Sequence, residues 1–587
     1  MTSLWTLYGE TVNREKPLPE HPNPLFRRDR YMTLNGIWDF AINRSSGRPV
    51  TMTKNIVVPF AVETPLSGIE ANVKKTDFLH YRRKFTLPST FLGGYVIIHF
   101  EAVDQVCDVF LNGDKILHHE GGYLPFSCLI SDPIPENTLE VTVSDDTLSP
   151  VFPRGKQSLK SNGIWYTATS GIWQSVWLEA VPETGYIKSV TIDSLFDEKK
   201  IQIKGDFTGS PSDAYAEAYF HGHLVARSTF DEKWLATLDL GYDFYPWSPD
   251  SPDLYELRFS FGEDIVHSYC AFRKFSVIQS GNEFFFGLND HLIFLSGLLD
   301  QGYYPDGGLT PPSEKAMVDD IMLAKNCGFN CLRKHIKIEP MRWYYLCDTL
   351  GMLVLQDFVS GGSPYANLLI VTRPLLNYNL NDTTHKLLGR ALKESRDQFV
   401  SDLEGTVARL YNVPSVCSWT IFNEGWGQFD AVEMTKRLAR LDPSRPIDST
   451  SGWYDKNCGN YSSHHIYFVA PRLRNDHKRI LSLSECGGYS LGVDRHKYSK
   501  IDFGYARYST FESLNRAVER LYSKHILRLI KKSGLGEVIF TQLTDVEAET
   551  NGLITYDRKV QKVDISMLKR VNRSLYTAFN ERLAKKK

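Results

Sequence analysis

Ser415-Val-Cys-Ser-Trp-Thr-Ile-Phe-Asn423-Glu424 and Ile480-Leu-Ser-Leu-Ser-Glu485-Cys-Gly-Gly488 are two short runs that each deliver a glutamate at or near their end. Uncharged runs of this length read as buried parallel strands. A lone glutamate after a strand is usually a solvated surface group. Two of them, one preceded by Asn423, point to chemistry. At the C-terminal mouth of a (β/α)8 barrel, where catalytic groups sit, paired carboxylates have a specific use. One protonates the leaving oxygen of a glycoside while the other attacks the anomeric carbon or activates water. Glu424 and Glu485 are the candidate catalytic residues.

Outward from these runs the chain alternates strand and helix from about residue 279. Eight strand candidates centre on Phe294, Cys331, Val354, Trp419, Ile447, His465, Leu483 and Ile539. Helices are expected over Ser313–Asn326 and Ser395–Tyr411. Eight such strands in roughly 300 residues suit a catalytic (β/α)8 TIM barrel over 279–587. On this count Glu424 follows the fourth strand and Glu485 the seventh. The Lys585-Lys586-Lys587 tail reads as frayed. Residues 1–182 read as a jelly-roll β-sandwich. Their alternating runs at Tyr95, Val106 and Leu139 are separated by turns such as Asn112-Gly113 and close on Gly171-Ile-Trp-Gln-Ser-Val-Trp-Leu-Glu179. Residues 183–278, with runs at Ile187, Ile201 and Tyr255, have the size of an immunoglobulin-like β-sandwich. The expected fold class is multidomain β plus α/β.

Composition narrows the partners. A hydrophobic fraction of 42% and a charged fraction of 23% fit an ordinary globular protein of several domains. The formal charge of −2 gives no pull toward nucleic acid or an anionic membrane. Nine cysteines, odd in number and without a Cys-x-x-Cys pair, read as reduced and mostly buried thiols. Cys327 and Cys331 find no companions for a zinc site, so neither metal nor cofactor is expected. The first ten residues show no secretion signal, and no run approaches the ~18 apolar residues of a membrane span. The expectation is a cytoplasmic protein with a carbohydrate substrate, no nucleic-acid partner and no membrane partner. A homo-oligomer stays open.

The order jelly roll, immunoglobulin-like sandwich, barrel resembles glycoside hydrolase family 2, which holds β-galactosidases, β-glucuronidases and β-mannosidases. The resemblance runs over almost the whole chain. Leu34-Asn-Gly-Ile-Trp-Asp-Phe40 resembles the family's opening strand, and Gly171–Glu179 the close of its first domain. Asn330-Cys-Leu-Arg-Lys-His-Ile336 is similar to the second barrel strand. Asn412–Glu424 resembles the acid/base signature, with Val413 where His is usual, and Ser484-Glu485-Cys-Gly-Gly488 the nucleophile motif.

The resemblance implies that Glu424 is the general acid/base and Glu485 the nucleophile of a retaining exo-glycosidase, their carboxyl groups about 5 Å apart. It also implies that Asn423 binds the sugar 2-hydroxyl and that Tyr467 hydrogen-bonds the nucleophile. Arg333 and His335, at the end of the second strand, are candidates to fix Glu485 or a sugar hydroxyl. Asp300 and Asp357 close the first and third strands and are candidates for sugar hydroxyls. His464 and His465 alternate in direction, so at most one faces the pocket; His465 is a candidate, and which of the two it is stays open. Trp426 is a candidate stacking platform. Gln542 ends the eighth strand, near where related enzymes often carry tryptophan.

Family glucuronidases commonly grip the sugar carboxylate with an Asn-x-Lys element. Here the nearest match is Asn551-Gly-Leu553, without the cation. A neutral β-sugar such as β-D-galactose is therefore expected, unless Arg333 or Lys334 supplies the charge. Arabinosidase, galactofuranosidase and β-glucuronidase are the alternatives within the family. A transglycosidase would share the intermediate, and a non-catalytic carbohydrate-binding protein is the reading from another class.

Overall fold

The computed structural model describes residues 4–585 except 50, 211–212, 365–368, 370–371, 373–375 and 377. Lys586 and Lys587 of the basic tail lie outside the described residues. The first sandwich sets a six-stranded sheet against a four-stranded one. The larger sheet runs Lys54–Val58, Gly36–Asn43, Phe78–Thr86, Glu136–Ser144, Val106–Leu111, Asp114–Glu120. The smaller runs Tyr31–Thr33, Val176–Val181, Tyr95–Phe100, Phe126–Ile130. Period-two patterning explains the core: Val96, Ile98, Phe100, Val109 and Leu111 point inward onto Trp38, Tyr81 and Val141. Asn112 and Gly113 turn this chain back on itself with φ of 53° and 101°, the left-handed pair that a tight hairpin requires. Val176–Val181 is buried along both faces. Trp177 on its outer side stacks on His99 at 4.1 Å and donates to Glu101 at 3.0 Å, and Glu101 pairs with Arg409 of a barrel helix at 2.7 Å.

Between residues 185 and 270, seven antiparallel strands form a smaller sandwich. Gly185–Leu195, Lys200–Gly209 and Leu235–Asp239 make one sheet, and His223–Thr229, Ala214–Phe220, Tyr255–Phe261 and Asp264–Cys270 the other. Ile187, Ile203, Leu257 and Phe259 fill the space between them.

The largest sheet begins with an antiparallel hairpin, Phe275–Ser280 and Glu283–Leu288, and continues as parallel strands that curl into the barrel. Its strands are β1 (Leu295–Asp300), β2 (Cys331–Lys334), β3 (Leu353–Asp357), β4 (Val416–Asn423), β5 (Ile447–Ser451), β6 (Tyr461–Ile466), β7 (Ile480–Gly487) and β8 (Leu535–Thr541). The ladder runs β7-β8-β1-β2-β3-β4-β5, with β6 paired to β7. Between β5 and β6 the connection is made by side chains, with Ser463 Oγ donating to Asp448 at 2.6 Å and Ser451 Oγ 3.1 Å from His465. Helices form where apolar residues recur at helical spacing. Glu314–Asn326 starts at Ser313, whose hydroxyl caps the Ala316 N–H. Lys393–Leu410 buries Phe399, Leu403, Val407 and Leu410 on one face.

Alternation along the strands decides what reaches the mouth. Leu299, Cys331, Leu353, Leu355, Cys417, Ile480 and Ile539 share the inner cluster, whereas Leu298, Leu332, Val354, Leu481, Leu483 and Val538 pack toward the helices. Strict alternation after Leu481 and Leu483 would turn Glu485 outward too. It does not, because the β7–β8 register slips between Leu483 and Cys486, and the extra residue re-aims the carboxylate inward.

Glu537, on the inner face of β8, is 2% exposed and accepts a hydrogen bond from Ser482 Oγ at 2.5 Å. Burial pushes its carboxyl up from 4.5 to about 7. The native state thus holds a proton that the unfolded chain releases at lower pH, so stability falls as pH rises from about 4.5 through 7. Glu537→Gln should melt above the parent protein at pH 8, and the gap should close toward pH 5. Equal gaps at both pH values would contradict this.

Candidate active site

Glu424 lies one residue beyond β4 in a left-handed conformation, φ 51°. A side chain there costs on the order of 1–3 kcal/mol and persists only where the surroundings fix it. The Glu424 N–H donates to Ser451 O at 3.0 Å and the Trp426 N–H to Asn423 O at 3.2 Å, which closes the turn. Glu485 faces it from β7. A carboxylate oxygen of each and one ring nitrogen of His465 lie within 4.8 Å of one another. His465 Nδ1 sits 2.9 Å from Glu424 and 3.5 Å from Glu485. Gly452 makes room for that ring: with φ 84°, a Cβ there would come within 2.5 Å of His465.

Arg333 is the hub beneath the pair. Buried at 1% exposure, it donates through Nε and Nη2 to Asp357 at 3.0 and 3.1 Å, and through Nη2 to Asn423 Oδ1 at 2.9 Å. Its Nη1 reaches Glu485 at 3.2 Å and Ser484 O at 3.1 Å. The Tyr467 hydroxyl donates to the other oxygen of Glu485 and lies 3.0 Å from Thr541 Oγ1, and its ring stacks on Tyr505 at 3.8 Å. Burial works against ionisation of Glu485, but the charges of His465 and Arg333, with His335 and the Tyr467 hydroxyl, hold its carboxyl below the usual range. That is the condition a nucleophile needs. Glu424, Glu485 and His465 could also offer three atoms to a metal ion.

The structure brings Asn423, Tyr467, His465, Arg333, His335 and Asp357 around the two glutamates, and it shows what Asp300, Asp357, Trp426 and Gln542 touch. Asp300 is not turned to the mouth: it lies on the helix-facing side of β1, bound to Lys334 at 2.6 Å and to the Gly302 N–H at 2.9 Å. Asp357 faces the mouth and orients Arg333, which it binds through both oxygens, and His335 at 2.7 Å. Trp426 is 5% exposed, with Arg154 over its face and Trp165 against it at 5.1 Å, so it is packing and not an open platform. Gln542 donates its amide to Asn551 Oδ1 at 2.6 Å. Of the two histidines, His465 faces the pocket. Burial pushes the His464 ring down to about 4, and its Nε2 meets only Ser462.

Several residues near the mouth escaped sequence reasoning. Ser451 ends β5 and was findable as a strand-end residue. Trp165 and Tyr166 were not, because they come from the first sandwich. Tyr166 donates its hydroxyl to Glu549, and the Thr167 N–H donates to Glu547 at 2.8 Å. Gln301 Nε2 reaches Tyr166 at 2.5 Å. A cavity of about 700 Å³ opens along the same seam, lined among others by Glu63, Thr167, Tyr303, Tyr498 and Glu547. Neither Glu424 nor Glu485 lines it.

Known proteins agree with this architecture. The profile described as glycosyl hydrolases family 2, TIM barrel domain, matches residues 287–478, and that of the glycosyl hydrolase 2 galactose-binding domain-like matches 62–160. A β-galactosidase of Leuconostoc mesenteroides is 25% identical over 439 residues, 69% of this chain and 38% of its own length. The chain spans well under two thirds of the length of the curated relatives it resembles. A β-glucuronidase from an uncultured Clostridium sp. superposes with a TM-score of 0.74 at 17% identity, covering 94% of this chain and 99% of the other. The family 2 β-galacturonidase of Eisenbergiella tayi bound to galacturonate gives 0.69 at 18%, with 94% and 98% covered. Among the described residues no helix is long and apolar enough to cross a membrane.

Proposed function

The chain belongs to glycoside hydrolase family 2, and from that premise we propose that it is a retaining exo-β-glycosidase working by double displacement. One observation carries the reading: the approach of Glu424 and Glu485 to within 4.8 Å. Retention needs carboxyl groups about 5–5.5 Å apart, whereas an inverting enzyme keeps about 6.5–9.5 Å for a water molecule.

In the first step Glu485, ionised beside Arg333, attacks the anomeric carbon as the glycosidic bond breaks. Glu424 gives its proton to the departing oxygen. Water then enters, loses a proton to Glu424 and displaces the sugar from Glu485. Asn423, held by Arg333 through Oδ1, keeps its amide nitrogen for the sugar 2-hydroxyl, a contact that strengthens as the oxocarbenium-like transition state develops. Tyr467 shares the charge of Glu485 before attack and must release that oxygen as the covalent bond forms. A binding protein has no need of a proton donor opposite an ionised carboxylate.

For the sugar, the barrel supports a neutral hexoside such as β-D-galactose. Leu553 is 1% exposed in the apolar core, and both proposed substitutes for the missing lysine are neutralised, Arg333 by Asp357 and Glu485, Lys334 by Asp300 and Glu339. A panel of nitrophenyl β-glycosides tests the reading, together with an activated 2-fluoro-β-galactoside. Turnover should be accompanied by a sugar adduct on the Glu485 peptide by mass spectrometry. Turnover with an adduct elsewhere, or with inversion, would reject the mechanism.

A further inference from the structure

Gly487 and Gly488 follow the nucleophile and take no part in the chemistry above, yet each makes room for an aromatic ring. At Gly487, φ 87°, a Cβ would come within 2.3 Å of Phe540. At Gly488, φ 63°, it would come within 2.4 Å of Tyr505 and 3.1 Å of Tyr467. Glycine takes such a conformation without steric cost and leaves the space to the rings. Gly488 also ties its neighbours together by backbone. Its N–H donates to Thr541 O and its carbonyl accepts from the Tyr505 N–H, each at 2.9 Å. Two residues earlier, the Phe503 N–H donates to Ala548 O at 2.7 Å and its carbonyl accepts from the Thr550 N–H at 3.1 Å. Tyr489 and Ser490 pair in parallel with Ala506 and Arg507. Tyr505 is thus fixed between the residues that follow β7 and those that follow β8.

The ring so held lies flat on Tyr467, the centroids 3.8 Å apart and the planes 9° from parallel. Phe468 and Phe503 meet Tyr505 edge-on at 5.4 and 5.8 Å. A ring stacked in this way cannot tilt without giving up the contact, so the Tyr467 hydroxyl is confined to one place. From there it reaches two oxygens, one of Glu485 and Oγ1 of the buried Thr541, the latter at 3.0 Å. Burial and the charge of Glu485 push the Tyr467 hydroxyl well above the usual tyrosine range, so it keeps its proton. Each of the two hydroxyls both donates and accepts. While Glu485 is ionised, Tyr467 donates to it, because a charged acceptor makes the stronger bond, and Thr541 donates to Tyr467. Once that carboxylate oxygen carries the sugar it is an ester oxygen and a poorer acceptor. The O–H then turns about its C–O bond to Thr541 Oγ1 while the ring stays where it is. No proton changes owner.

We propose that Tyr505 and Thr541 are positioning residues that act on the nucleophile through Tyr467: Tyr505 holds its ring in place, and Thr541 receives its hydrogen bond when Glu485 carries the sugar. The inference rests on the glycosidase reading and deepens it. The test makes Tyr505→Leu, Tyr505→Phe, Thr541→Val and Thr541→Ser, each alone and together with Tyr467→Phe. With dinitrophenyl β-D-galactoside, the burst gives the rate at which the glycosyl-enzyme forms and the steady state the rate of its hydrolysis. Thr541→Val, nearly the same in shape, should slow formation by about 10-fold, the effect of leaving one buried donor unpaired, and leave hydrolysis no slower. Thr541→Ser should restore it. Tyr505→Leu should slow formation to a similar extent, whereas Tyr505→Phe keeps the ring and should not. In the Tyr467→Phe background none of the four should cost more than about twofold, since their effect passes through that hydroxyl. Losses that simply add to that of Tyr467→Phe, or parent-like rates in Tyr505→Leu and Thr541→Val, would overturn the inference. A second measurement needs no substrate: the Raman difference between each protein and its Tyr467→Phe counterpart reads the hydrogen bonding of that one hydroxyl. It should change in Tyr505→Leu and Thr541→Val and hold in Tyr505→Phe; an unchanged difference would overturn the inference. A parent protein that turns over no glycoside would reject the glycosidase reading, and the Raman differences would still decide whether Tyr505 and Thr541 position Tyr467.

Discussion

Glu485→Ala should lose turnover of every glycoside, by on the order of 10⁵-fold or more, because no group remains to form the covalent intermediate. Glu424→Ala should behave differently. Glu485 can still attack when the leaving group needs little protonation, so dinitrophenyl glycosides should still form the intermediate, while alkyl glycosides lose about 10²–10⁴-fold. Azide makes the distinction stereochemical. In Glu424→Ala it intercepts the glycosyl-enzyme and gives a β-glycosyl azide of retained configuration. In Glu485→Ala it acts once, from the vacated face, and gives the α-product. Exchanged stereochemistry would exchange the roles of the two residues. Unimpaired activity in either variant would remove this site from consideration.

Arg333→Met should be the most damaging change outside the carboxylate pair, and in two separable ways. It takes from Asp357 and Glu485, at 1% and 5% exposure, the cation they share and leaves them only His335 and His465, for which a loss of about 3–5 kcal/mol of stability is expected. It also removes one of the charges that hold the Glu485 carboxyl low. The nucleophile acts ionised, so a higher pKa moves the acidic limb of the kcat/KM profile to higher pH. Activity at pH 5 should fall more than activity at pH 7. Arg333→Lys keeps the charge but cannot bridge Asp357 and Asn423 at once, so its acidic limb should move less even if its melting temperature falls. A thermal melt and a pH profile on each variant separate the effects. An acidic limb in Arg333→Met that coincides with the parent's would show that Arg333 is structural only.

Much of the barrel was legible because its signals are local. All eight strand candidates fall in or beside observed strands, since each is a short run that must be buried on both faces. The helix over Ser313–Asn326 was legible from its cap and spacing. What the sequence concealed depends on departures from regular periods. Nothing in Leu483-Ser-Glu-Cys announces the slipped register that turns Glu485 inward, and nothing marks Glu424 as left-handed. Asp300 and Asp357 look alike as strand-end acids, yet one faces Lys334 behind the barrel and the other Arg333 inside it. That difference is one residue of phase in a six- or five-residue strand. Trp165 and Tyr166 were hidden for another reason: they lie more than a hundred residues before the barrel, and only the docking of the sandwich brings them to Trp426 and Glu549.

That docking has a consequence for how such a chain can change over time. Arg154, Gly155, Tyr166 and Thr167 hold the seam through contacts with Ser360, Glu547 and Glu549, the last two from the loop after β8. The sandwich is therefore no detachable appendage whose exchange leaves the pocket untouched. Residues 153–167 form a cassette that belongs to the sandwich, yet its Trp165 meets Trp426, two residues beyond Glu424, at 5.1 Å. Variation in that cassette can retune which sugars are admitted while β4 and β7, and the chemistry they carry, stay as they are. Recombination at the barrel boundary would have the opposite effect, separating the wall from the loop that was shaped against it.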